Sequence, residues 1–145
     1  MRIRITFSLI VSSSLLSGCE PSLSDDPIPF TAFPDVFINL AQSPAIKIDG
    51  GFMYLNDAGV RGVIIYRVNA TRYLAYERNC SFQPNNACAT VDVDVSGLFM
   101  LDPCCSSTFN FANGYPSSGP AWRELRQYET ILNGNELIIT DEIIR

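Results

Sequence analysis

Four of the five cysteines lie between Cys80 and Cys105, and the chain contains no histidine. Four sulfurs in so short a stretch must either pair with one another or be given to a metal, and either choice ties the segments that carry them together. Four cysteines allow three pairings. A bridge between the neighbours Cys104 and Cys105 would close a strained ring and is set aside. A metal site built from Cys80, Cys88, Cys104 and Cys105, with Asp102 in reserve, would suit zinc or an iron–sulfur cluster. Against it, there is no Cys-x-x-Cys pair, and adjacent cysteines do not easily face one tetrahedral ion. Disulfides are therefore the favoured reading. Without histidine, Ser–His–Asp and Cys–His catalytic arrangements are excluded.

The segments around these cysteines read as short strands. Val91, Val93 and Val95 alternate with Asp92 and Asp94, the pattern of a half-buried antiparallel strand with a solvated carboxylate face. Ser96-Gly97 turns it into 98–101, and Phe109 and Phe111 repeat the period of two. Upstream, 36–40 is rich in β-formers, 45–49 alternates before Gly50-Gly51, and 52–55 ends at Asn56-Asp57. Residues 62–68 form a buried-looking strand returned by 72–77 across a three-residue turn. Near the end, 128–132 and 136–140 flank Asn133-Gly134-Asn135, a strong hairpin signal. No convincing amphipathic helix is present. The expected fold is all-β: several small antiparallel sheets with irregular loops carrying the cysteines.

At 145 residues the chain is long enough for one domain. Its formal net charge of -5 offers no basic patch, so nucleic acid is not an expected partner. No phosphate-cradling glycine loop is present. Asp92 and Asp94 read as a solvated strand face rather than an acid–base pair. Arg123 and Arg126 beside Glu124 read as a surface ion-pair patch, with Trp122 as a packing residue.

The first residues read as an address. Arg2 and Arg4 precede an apolar stretch, 5–16, too short to span a bilayer. Leu16-Ser17-Gly18-Cys19 resembles the lipobox of bacterial lipoproteins, which implies removal of 1–18 and acylation of Cys19. An ordinary secretory signal is the alternative. Residues 19–34, rich in Pro, Ser and Asp, read as a tether to a domain at 35–145. Ser24-Asp25-Asp26 resembles the export signal of surface lipoproteins of Bacteroidetes. The expected location is the outer membrane, at its periplasmic face or on the cell surface.

Arg78-Asn79-Cys80-Ser81-Phe82 follows a strand ending in Ala75-Tyr76-Glu77. Asp102-Pro103-Cys104-Cys105-Ser106-Ser107 follows 98–101, and Phe109, Asn110, Gly114, Gly119-Pro120-Ala121, Leu125 and Tyr128 come after at set spacing. Together these resemble the cluster-binding region of Rieske iron–sulfur proteins, over roughly residue 52 to the C-terminus. That family holds a two-iron cluster on Cys-x-His and Cys-x-x-His loops, two cysteines on one iron and two histidines on the other. Position by position, the resemblance makes Cys80, Phe82, Asp102 and Cys105 the former ligand positions. Phe82 cannot bind iron, and without histidine the His₂Cys₂ centre cannot form.

Cys88 and Cys104 match the family's inter-loop disulfide, so the resemblance implies that pairing. It leaves Cys80 and Cys105 on opposite loops, and in an oxidising compartment a second bridge between them is expected. The swapped pairs, Cys80–Cys104 and Cys88–Cys105, stay open. Each bridge would contribute about 2–4 kcal/mol.

The expected function is non-enzymatic and without a cofactor: a lipid-anchored envelope protein whose degenerate Rieske-like domain is a structural or binding module. Its protein or small-molecule partner is not identified by the sequence. The alternative is a redox protein, transferring electrons or exchanging disulfides through the loop cysteines or a non-standard metal centre.

Overall fold

The structure, a computed structural model, describes residues 26–145. Residues 1–18, read as a signal segment, Cys19 and the first part of the stretch read as a tether lie outside the described residues. Among the described residues ten strands form two antiparallel sheets. The larger sheet takes β1 (Val36–Asn39), β2 (Phe52–Leu55), β3 (Val63–Asn69), β4 (Arg72–Glu77), β9 (Gln127–Asn133) and β10 (Glu136–Ile143) in the order β1-β10-β9-β4-β3-β2. The smaller takes β5 (Asp92–Val93), β6 (Met100–Asp102), β7 (Ser107–Phe109) and β8 (Pro116–Ser118) in that order.

The apolar run of β3 is explained by burial on both faces. Val63 and Ile65 enter one core with Tyr73, Ala75, Tyr128, Leu137 and Ile139. Ile64, between them, enters a second core with Tyr76, Val91, Met100, Phe109 and Leu125. Successive side chains of a strand point oppositely, so β3 stitches the two cores together. Each of these buried aliphatic side chains contributes about 1.5–3 kcal/mol. The second core is also the layer from which the cysteine loops emerge, and Cys80 itself belongs to it.

Three expectations change. Residues 45–49 are not a strand. Two 3₁₀ turns, Leu40–Gln42 and Pro44–Ile46, occupy this region. The Ala41 amide donates to Asn39 Oδ1 at 2.9 Å, and Pro44 starts the second turn with its fixed φ. The alternating face of 91–95 contracts to Asp92–Val93. Asp92 pairs with Arg78, and Asp94 accepts the Ser96 amide at 2.9 Å as a turn cap. The stretch read as tether meets the domain before Pro34. Phe33 is buried with its ring edge-on to Tyr128 at 5.1 Å, Arg126 donates to the Ile28 and Pro29 carbonyl oxygens, and Arg123 donates to that of Asp26. Among the described residues no helix is long and apolar enough to cross a membrane.

Candidate functional site

Two loops build the site. The first leaves β4 at Glu77. An isolated bridge between Asn79 and Thr90 closes its base, and the Cys80 amide donates to the Ala89 carbonyl oxygen at 3.1 Å. Arg61 reaches across to hold the loop: its guanidinium donates to Asn79 Oδ1, to the Asn86 oxygen at 2.6 Å and to the Ala87 oxygen at 2.7 Å. Ser81 Oγ donates to the Arg123 oxygen at 2.6 Å, and the Arg123 guanidinium returns to the Ser81 oxygen at 2.7 Å. The arginines read as an ion-pair patch with Glu124 thus donate to main-chain oxygens of this loop and of the N-terminal segment.

The second loop is the turn between β6 and β7. The Ser106 amide donates to the Asp102 oxygen at 2.8 Å, with Ser106 in the left-handed region at φ 61°. Gly119 packs against this turn. A Cβ there would stand 2.5 Å from the Ser107 Cα, so only glycine lets the chain pass. The next residues are thereby close enough for the Ala121 amide to donate to Ser107 Oγ at 3.0 Å.

The Cys88–Cys104 disulfide joins the two loops, with Cα atoms 5.7 Å apart. The pairing implied by the resemblance is therefore present. The expected Cys80–Cys105 bridge is not formed: both stand as thiols, sulfurs 3.9 Å apart. A disulfide would require them to close by about 1.9 Å. Cys105 Sγ instead lies 3.2 Å from Asp102 Oδ2 and 3.1 Å from Ser107 Oγ.

Cys80, Asp102 and Cys105 converge, each offering one ligand atom within 4.8 Å of the others. Cys80 and Asp102 are buried and Cys105 is half-buried. The Cys104 amide donates to Asp102 Oδ1 at 2.8 Å, turning Oδ2 toward the sulfurs. Burial pushes the Cys80 thiol far above its ordinary range, and its hydrogen bond to Asp102 pushes the same way. A thiol held protonated is a poor attacking group. Phe82, Asn86, Asp102, Cys105 and Pro120 line a cavity of about 200 Å³ beside the cluster of side chains.

These residues do not fit a two-iron cluster. In the resemblance Cys80 and Cys105 belong to different irons, yet their sulfurs are 3.9 Å apart, the spacing of two donors on one ion. Phe82 offers no donor at the remaining position.

Of the four positions that the resemblance makes former ligand positions, the structure brings three, Cys80, Asp102 and Cys105, together at one point. Sequence reasoning gave Arg61 no role at this site. The guanidinium bonds of Arg61 span 18 to 29 residues. Sequence reasoning also missed Glu77, a buried carboxylate accepting amides of Val60, Arg61 and Asn79 and the Tyr128 hydroxyl.

No family model matches the chain, and no curated protein matches it. Solved structures do. A chain of the complex of reduced oxygenase and oxidized ferredoxin in carbazole 1,9a-dioxygenase aligns with 20% identity and a TM-score of 0.52, covering 75% of this chain and 96% of that one. The ferredoxin of carbazole 1,9a-dioxygenase from Nocardioides aromaticivorans IC177 aligns with 14% identity and a TM-score of 0.48, covering 78% of this chain and 98% of that one. The first likeness establishes the fold: this is a Rieske-like domain of antiparallel sheets.

Proposed function

We propose that the chain is an envelope lipoprotein, anchored through Cys19, whose Rieske-like domain has no two-iron cluster and works as a non-enzymatic binding module. One observation carries this reading. The four former ligand positions hold Cys80, Phe82, Asp102 and Cys105, and the three that can donate converge within 4.8 Å rather than framing two irons. The scaffold around them is complete, with the Cys88–Cys104 bridge and the Gly119 contact both in place. Fold alone assigns no electron-transfer role, because function resides in the site grafted on it.

Iron and acid-labile sulfide in the purified protein test this. Both are expected well below one equivalent, with no visible iron–sulfur absorption. Stoichiometric iron and sulfide would overturn the reading.

A redox role is the second reading, favoured by the 3.9 Å approach of the Cys80 and Cys105 sulfurs. It requires a labile pair, so its reduction potential should lie above about −300 mV. A lower potential would leave only a structural bridge.

A further inference from the structure

The site combines two sulfurs and a carboxylate at spacings that suit a single ion. A tetrahedral ion with metal–sulfur bonds of about 2.3 Å separates two sulfur donors by about 3.8 Å. The Cys80 and Cys105 sulfurs are 3.9 Å apart. With a metal–oxygen bond of about 2.1 Å, the mixed edge is about 3.6 Å. Cys105 Sγ and Asp102 Oδ2 are 3.2 Å apart. On these two edges chelation asks for shifts of a few tenths of an ångström, and the third, between Cys80 Sγ and the Asp102 carboxylate, is no longer than 4.8 Å.

The donors are also held from outside. The Cys104 amide orients the Asp102 carboxylate, Ser107 Oγ sits beside the Cys105 sulfur, and the Cys80 backbone is fixed through Ala89. Such outer contacts aim ligands at a metal. The Cys88–Cys104 disulfide keeps the two loops together, so the site does not need the ion to assemble.

A separate observation points to a cation. Asp102 is fully buried, yet the ion pairs among the described residues are Arg67–Asp49 and Arg78–Asp92. Buried carboxylates in proteins are hydrogen-bonded, paired with a cation or bound to a metal. Among the described residues, the atoms facing Oδ2 include a thiol and no arginine or lysine nitrogen within ion-pair distance.

We propose that Cys80, Asp102 and Cys105 bind one thiophilic divalent ion of the zinc class. The fourth position opens toward the cavity lined by Phe82, Asn86 and Pro120. Three protein ligands with one open position are the pattern of a site that can take water or a small ligand. Phe82 then has a use: it walls the open side with an apolar ring where a fourth donor would have closed the site. This proposal rests on the cluster-free reading, since a two-iron cluster would claim the same atoms.

The test is cobalt(II) titration of the anaerobically purified protein. Thiol titration after denaturation, on protein whose Cys19 is acylated, first establishes two free thiols alongside the intact disulfide. One equivalent is expected to bind, with intense thiolate-to-cobalt absorption in the near ultraviolet and tetrahedral bands in the visible. Zinc should displace it. Cys105→Ser should lose the charge-transfer band and weaken binding at least 100-fold. Asp102→Asn should weaken it about tenfold while keeping that band, and both variants are checked for the folded state by circular dichroism. A folded, reduced protein that takes up no cobalt would overturn the proposal. So would uptake unchanged in Cys105→Ser. Iron and sulfide assayed on the same sample separate the two ideas. Stoichiometric amounts defeat the cluster-free reading itself, whereas their absence together with no cobalt uptake defeats only the metal site.

Discussion

The Tyr76 hydroxyl is buried in the second core and donates to the Phe111 oxygen at 2.9 Å. Burial pushes this phenol up to about 12 from its ordinary 10.0, against a smaller opposing pull from Arg145 and Arg72. The folded chain therefore keeps the proton that the unfolded chain releases. Its contribution to stability is complete below pH 10 and is lost as pH rises toward 12, by about 2–3 kcal/mol. Tyr128 shifts the same way, through burial and the Glu77 charge. Urea denaturation between pH 8 and 12 should show this decline, and Tyr76→Phe should flatten part of it. Equal slopes in the two proteins would contradict the assignment. Glu77 gives a second prediction. Its carboxylate satisfies three amides and the Tyr128 hydroxyl, and Gly59 passes so close that a Cβ would meet Oε2 at 2.3 Å. Glu77→Ala leaves these donors without acceptors and should cost about 3–5 kcal/mol, read by the same denaturation. Neither residue announces its role in sequence. Glu77 looks like the polar end of a strand, and its four donors come from three separate stretches.

Among the elements, those with local causes were legible. The β9–β10 hairpin follows from Asn133-Gly134-Asn135, and the doubly buried β3 from its unbroken apolar run. Residues 45–49 misled because alternation counts side chains and does not register the Asn39 cap or the fixed φ of Pro44. The first cysteine loop lies between these cases. The resemblance assigns positions in it to former ligands, but what holds it could not be read, because Arg61 arrives from the β2–β3 connection. Arg61→Ala should loosen residues 79–90 specifically, raising their amide exchange at least tenfold over that of β3 and β4. It should lower global stability by only about 1–3 kcal/mol, because Cys88–Cys104 still pins the loop. Uniform acceleration across β3 and β4 would show instead that Arg61 supports the whole fold.

At the scale of the whole molecule, the proposed anchor predicts that membrane-derived protein lacks 1–18 and carries acyl mass on Cys19 by mass spectrometry. A Cys19→Ala variant that still partitioned fully into detergent would defeat it. The N-terminal segment gives that anchor a geometry. From Asp26 onward the chain is held to the domain, by Arg123, then by Arg126, then by Phe33 against Tyr128. Only residues 19–25 would then separate the lipid from the first holdfast, and seven residues reach at most about 25 Å. Arg123, which receives that short leash, is the same residue that grips the Ser81 oxygen beside Cys80. An anchored domain would thus work within that reach of the bilayer, with the loop that carries Cys80 gripped by the same residue that holds the tied end.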